Sequence, residues 1–252
     1  MYAHRRRRRF LFAVLKQVVP YGSGLLDVRI VVNGCQLTLK LDPWSGDRPS
    51  FFEVMDEMPA EALQQAPTPE LILDAGANIG LFSLRARAYY SKVPILAFEP
   101  LPRNCERLAY HNAVNQSRII VHQAAVWTAA RQTYLNYHAT NTGQLAFLST
   151  TTDQAQPFQI LVNCVRLPDI VPEIGTKRLL LKMDIEGAEL PVLEDLLPLI
   201  TKPSVLLCEL HDDLRSRPHF IRLLEHHGWK MRTTKNEADC SYWYCTLNKP
   251  VL

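Results

Sequence analysis

The sequence predicts a doubly wound α/β fold, a mostly parallel sheet with helices on both faces, preceded by an N-terminal β-hairpin and helical cap. Three observations lead there. From residue 70 onward, short apolar runs alternate with helical stretches, and strands alternating with helices build a parallel sheet covered on both sides. The runs Leu71–Leu73 and Leu179–Met183 are almost continuously apolar, as strands buried on both faces require. Ahead of them, Val28–Asp42 alternates apolar and polar residues around Asn33-Gly34, a strong hairpin signal.

The elements follow in order. Residues 43–69 hold Pro, Gly and a short helical pattern over Phe51–Leu63, and read as a cap. This divides the chain into a tail, hairpin and cap over 1–69 and a main domain over 70–252. In the domain, strand Leu71–Leu73 leads to helix Leu81–Tyr90, strand Pro94–Phe98 to helix Asn104–Asn112, and then to strand Ile119–Val121. The interval Thr133–Leu167 is strand-rich with no strong helix. Strand Leu179–Met183 precedes helix Ala188–Leu199, and strand Val205–Glu209 precedes helix His219–His227. Trp229–Arg232 and Ser241–Leu247 close the chain as strands. Right-handed crossovers set the winding, and ligands in such sheets bind beyond the carboxyl ends of the strands, at the switch point.

Composition narrows the function classes. The 252 residues are 47% hydrophobic and 21% charged, with a formal charge of +3, ordinary for a globular core. Five of the positive charges form one run, Arg5–Arg9, so the remaining body is mildly acidic and has no basic face for nucleic acid. The run and the apolar Phe10–Leu15 after it mimic a signal peptide. Six apolar residues are too few for one, or for a membrane span. A mobile tail with a weak contact to an anionic surface is the expectation. The six cysteines form no C-x-x-C pair and fit no zinc template; reduced thiols in a cytoplasmic setting are expected.

Three motifs carry chemistry. In Leu71-Ile-Leu-Asp74-Ala-Gly76-Ala-Asn78-Ile-Gly80 a buried strand ends at an acid, and glycines precede a helix. Glycine lets backbone approach a ligand closely. Ala77 and Asn78 break the G-x-G-x-x-G spacing, so a nicotinamide dinucleotide is disfavoured. Asp74 suits a ligand bearing an ammonium group, such as the methionyl part of S-adenosylmethionine. In Ala97-Phe98-Glu99-Pro100 a second carboxylate ends the next strand, at the spacing of a ribose-binding acid. In Lys182-Met-Asp184-Ile-Glu186-Gly-Ala-Glu189 three acids cluster at a strand end and helix start. Compensation of the helix dipole accounts for Glu186 or Glu189, but poorly for Asp184.

In that order and spacing, these motifs resemble the FkbM family of methyltransferases over roughly residues 70–212. The resemblance implies the class I methyltransferase (Rossmann-like) fold and S-adenosylmethionine as donor. It also implies, as a rule, O-methylation of a hydroxyl on a sugar, glycolipid, or polyketide or peptide natural product. Residue by residue it assigns Asp74, Gly76, Asn78 and Gly80 to the cofactor loop and Glu99 to the ribose. Val121-His-Gln123-Ala124-Ala-Val126 resembles the family's third-strand segment. Gln123 stands where Asn is usual, its amide toward the adenine edge, and Trp127 replaces the usual glycine. Asp184 and Glu186 match the signature at the cofactor's reactive end, and Glu209-Leu-His211 a pattern after the fifth strand.

Methyl transfer to a hydroxyl requires orienting the acceptor and removing its proton. Asp184, Glu209 and His211 end neighbouring strands on the rim that faces the methyl group. His211 is the best base by intrinsic pKa, against a competing reading as a surface histidine beside Asp212 and Asp213. Asp184, Glu209 and His211 binding a divalent cation that acidifies the hydroxyl is an alternative. Two further readings compete, a nucleic-acid or protein methyltransferase and a catalytically inactive binding module. The Asn/Asp-Pro-Pro-aromatic tetrad of base-methylating enzymes is replaced here by Asp184-Ile-Glu-Gly187, and the acids an inactive module loses are present. The acceptor pocket is expected from residues 1–69 and 128–166, with Trp44, Phe51, Phe52, Tyr134 and Tyr137 as lining or, for most, core.

Overall fold

A computed structural model describes residues 24–65, 68–136, 159–211, 213–237 and 240–248. The Arg5–Arg9 tail, Tyr137 and Asp212 lie outside them.

β1 (Leu26–Val32) and β2 (Cys35–Leu41) form the expected hairpin. Asn33 and Gly34 both have positive φ, 48° and 78°, the turn whose twist matches the strands it joins. Leu37, Leu39 and Leu41 are buried and share one core with Phe51, Ile79 and Phe82.

The cap departs from the expected single helix over Phe51–Leu63. α1 (Asp47–Phe52) runs into a π-helical turn, Glu53–Glu57, and after Pro59 a 3₁₀ turn follows, Ala60–Leu63. The buried guanidinium of Arg85 is the physical reason. Its Nη1 donates to the carbonyls of Val54 and Met58, drawing them away from a regular helical ladder. Arg107 anchors the start of the cap through Asp47, at 2.5 Å.

Ten further strands follow: β3 (Leu71–Ala75), β4 (Ile95–Phe98), β5 (Ile120–His122), β6 (Ala125–Val126), β7 (Arg131–Asn136), β8 (Gln159–Val165), β9 (Leu179–Met183), β10 (Ser204–His211), β11 (Lys230–Asn236) and β12 (Cys240–Leu247). Seven form one sheet in the order β11-β12-β10-β9-β3-β4-β5. β12 runs antiparallel to both its neighbours, and the remaining pairs are parallel. The order in which strands are added reverses between the parallel neighbours β3 and β9, where a ligand is expected. β6, β8 and β7 form a small second sheet, with β7 and β8 at the ends of the interval expected to be strand-rich and β6 ahead of it.

The helices are α2 (Leu81–Tyr89), α3 (Pro102–Val114), α4 (Leu167–Ile170), α5 (Glu189–Leu196) and α6 (Asp213–His226). α6 begins six residues before the expected His219. Pro218 withdraws an N–H from its first two turns, so the helical pattern reads clearly only after it.

Side chains alternate across the sheet, and the two cores follow that parity. Ile72, Ile95, Leu180, Val205 and Leu207 face α2, the hairpin and the cap. Leu71, Leu73, Leu181, Leu206 and Leu210 face α5 and α6. The same parity sends Asp74, Lys182, Glu209 and His211 toward the cap. Among the described residues no helix is long and apolar enough to cross a membrane.

Candidate active site

β3 ends in a backbone cradle. Gly76 (φ 75°) sits so close to the next loop that a Cβ there would lie 1.7 Å from the carbonyl oxygen of Asp184, so no side chain fits. The N–H groups of Gly76 and Ala77 donate to the carbonyl of Phe98, at 3.0 and 2.9 Å. Gly80 caps α2 at φ 84°, its Cα against Leu108. Asn78 also has positive φ, 51°. Its N–H donates to Glu99 Oε2 at 2.8 Å, while its buried Oδ1 has no hydrogen-bond partner among the described residues.

Glu99 is buried at the tip of β4 and ties the loop to the start of α3. Its Oε1 accepts from Leu101 N–H and Asn104 Nδ2. Burial raises its pKa to about 7, against the lowering effect of those hydrogen bonds. Asp74 is fully buried; its Oδ2 accepts from Ser83 Oγ at 2.6 Å and its Oδ1 lies 3.9 Å from Lys182 Nζ. Gln123 is exposed at the end of β5 and Ala124 is buried beside it. Neither lines the clefts described below.

The second part of the site is a charged rim on the ends of β9 and β10. Lys182 Nζ donates to the carbonyl of Gly76 at 2.6 Å and pairs with Asp184 at 3.0 Å. Burial works against its charge, but Asp184 and Asp74 outweigh burial and hold it protonated. His211 sits among three carboxylates: Nδ1 is 3.0 Å from Glu189, and Nε2 is 3.3 Å from Glu186 and 3.7 Å from Glu209. Burial lowers its pKa, but the hydrogen bond to Glu189 and the charges of Glu189, Asp184 and Glu186 outweigh burial and push it to about 10. The expectation of His211 as a free base therefore meets an imidazolium with both nitrogens engaged. Glu209 is raised to about 7 by burial and then by Asp184.

Two clefts run from this rim. One, of about 330 Å³, is lined by Gly76, Ala77, Asn78 and the cap residues Ser50, Glu53 and Val54. The other, of about 440 Å³, is lined by Glu53, Glu57, Met58, Glu209, Tyr242 and Trp243, among others. Lys182 and Asp184 line both. Phe51 and Phe52 pack into the core instead.

Sequence reasoning left Glu53 and Tyr242 out and gave Lys182 no role. It read Glu189 as dipole compensation, whereas its buried carboxylate accepts from Ile185 and Gly187 N–H and holds His211. Strand parity was the available signal, since Lys182, Glu209 and Tyr242 share the cap face and Glu209 pairs with Tyr242 in register.

The model of the FkbM methyltransferase domain matches residues 74–231. The chain belongs to the FkbM methyltransferase family. Among curated relatives, Methyltransferase sdnD of Sordaria araneosa is 30% identical over 206 residues, covering 69% of this chain and 78% of that protein. Methyltransferase 1 of Beauveria bassiana (strain ARSEF 2860) is 31% identical over 172 residues, covering 59% and 69%. A solved structure of M. jannaschii TYW2 in complex with AdoMet is 14% identical at a TM-score of 0.49, covering 90% of this chain and 87% of that one.

This FkbM methyltransferase has the class I sheet order, and methyl transfer from S-adenosylmethionine is its activity class. The residues fit that donor: a cradle without side chains at Gly76, an unsatisfied buried acceptor at Asn78 Oδ1, and an acid at the tip of β4. A divalent cation fits the rim poorly. Carboxylate oxygens do gather, Glu53 with Asp184 and Glu209, and Asp184 with Glu186 and His211. However, Asp184, which belongs to both groups, is already paired with the Lys182 ammonium at 3.0 Å.

Proposed function

We propose that this methyltransferase O-methylates a hydroxyl of a small molecule of the sugar, glycolipid or natural-product kind. The meeting of two clefts at one carboxylate rim carries the reading. The cleft over Gly76–Asn78 suits the donor, with Glu99 holding the loop for the ribose and Gln123 and Ala124 further along the strand ends toward the adenine. The larger cleft, lined by Met58, Pro59 and Trp243 as well as acids, has the mixed apolar and polar lining of a small-molecule site.

When bound, S-adenosylmethionine supplies a methyl group whose bond to sulfur breaks with its electron pair remaining on sulfur as the acceptor oxygen bonds to carbon. The chain's own task is the hydroxyl proton. Glu209, in the acceptor cleft with a pKa near 7, is matched to take it at neutral pH. His211, protonated, holds Glu186, Glu189 and Glu209 in place. Lys182 keeps Asp184 ionised and fixes the cradle through Gly76.

An amine acceptor needs no such base once neutral. A nucleic-acid backbone is repelled by the acids of the larger cleft. Five of the six free cysteines are buried, which supports a reducing, cytoplasmic setting. The test is mass spectrometry of hydroxyl-bearing metabolites incubated with the protein and methyl-labelled S-adenosylmethionine. Label on an oxygen is expected; label on amines or on RNA instead would refute the reading.

A further inference from the structure

The two clefts share three side chains: Glu53, Lys182 and Asp184. Lys182 and Asp184 are paired with each other. The Glu53 carboxylate is different, with no hydrogen bond and no ion pair among the described residues. It comes from the cap, outside the span matched by the family domain, on the π-helical turn that Arg85 pins at Val54 and Met58. Such turns recur at functional sites.

Oxygens of Glu53, Asp184 and Glu209 all lie within 4.8 Å of one another. The groups facing Glu53 are Asp184 and Lys182 at the end of β9, Glu209 on β10, Lys235 on β11 and Tyr242 on β12. Lys182 is committed to Asp184, and Lys235 to Glu57 at 2.9 Å and to Glu237. His211, 3.7 Å from Glu209, favours the charged form of that carboxylate; Glu53 has no such partner among the described residues, and facing carboxylates this close do not all ionise. Burial, then Glu209 and Asp184, raise Glu53 well above the carboxylate range, and Glu209 lies at about 7.

We infer, resting on the methyl-transfer reading above, that Glu53 is a catalytic carboxylate supplied by the cap. With Glu209 it keeps one proton in the free protein, loses that proton when a sulfonium enters the neighbouring cleft, and then accepts the proton of the acceptor hydroxyl. The balance is simple. The first proton goes to solvent as the cation arrives. The second leaves the hydroxyl as its oxygen bonds to carbon and stays on the carboxyl pair, whose proton affinity recovers once the cationic charge is gone, so the pair returns to its one-proton state and one proton is released per turnover. The base is thus armed only in the loaded protein.

S-adenosylmethionine and S-adenosylhomocysteine differ in the sulfonium charge, so calorimetric titration of the full chain with each, at pH 7 in phosphate and in Tris, reads the proton count. S-adenosylmethionine is expected to release about one proton more than S-adenosylhomocysteine, by linkage between charge and protonation. Glu53→Gln and, separately, Glu209→Gln should abolish the difference while both ligands still bind. Glu61→Gln, an exposed cap carboxylate paired with Arg232, should preserve it. Equal counts in the unaltered chain, or a difference that survives Glu53→Gln, overturn the inference and leave the donor reading standing. Binding of neither ligand overturns both. If Glu53→Gln does not fold, the comparison in the unaltered chain still decides.

Discussion

Replacing His211 by alanine removes a cation from the middle of three carboxylates and tests the electrostatic reading of the rim. The imidazole is 15% exposed and lies 3.0 Å from Glu189, which is itself 1% exposed. Its pKa goes from an ordinary 6.5 to about 10, and at about 1.4 kcal/mol per tenfold change in proton affinity this sets a ceiling of about 5 kcal/mol. Removing one partner of a buried pair costs about 3–5 kcal/mol by the mutational record, so the two routes agree. The sign over pH follows from linkage. The folded-state pKa is raised, so the stabilisation is fully present below 6.5 and is lost as pH rises through about 10. Urea unfolding at intervals from pH 6 to about 10 should show the unaltered chain weakening across that window. The variant should start about 3–5 kcal/mol lower at pH 6 and lack this part of the slope. A loss under about 1 kcal/mol, or the same slope in both chains, would refute the claim that His211 is an imidazolium holding the rim.

Two other substitutions bear on the cradle and the rim. Gly76→Ala places a methyl 1.7 Å from the Asp184 carbonyl at a φ of 75°. It should destabilise by well over about 1 kcal/mol and abolish S-adenosylhomocysteine binding; an unchanged melting temperature and affinity would contradict the packing described. Asp184→Asn preserves shape but removes the charge paired with Lys182. Turnover on the acceptor should fall about 10²-fold or more with little change in S-adenosylhomocysteine affinity, and near-normal turnover would move the chemistry away from this residue.

Much of this architecture is legible in the sequence because parallel strands buried on both faces leave continuous apolar runs. β9 falls on the expected Leu179–Met183, and the acids at the ends of β3, β4 and β9 stand at strand tips that the fold must bring together. The cap is less legible. Its break into α1, a π turn and a 3₁₀ turn depends on Arg85, 31 residues from Val54, and no local periodicity encodes that tether. Glu53 stayed hidden for the same reason, since its partners Asp184 and Glu209 lie far along the chain. His211 is the last residue of β10, but its protonation depends on Glu189, whose carboxylate turns back under the loop. Intrinsic pKa alone points to a base where the surroundings make a cation.

The central claim is that the Gly76–Asn78 cradle with Glu99 at its edge binds the methyl donor. Calorimetric titration of the full chain with S-adenosylhomocysteine, alongside Glu99→Ala, tests it most directly. The account predicts one site of micromolar affinity, weakened in Glu99→Ala by about 1–3 kcal/mol through loss of a charged hydrogen-bonding group. Binding of NAD in place of S-adenosylhomocysteine, or an affinity for S-adenosylhomocysteine that Glu99→Ala leaves unchanged, would contradict it.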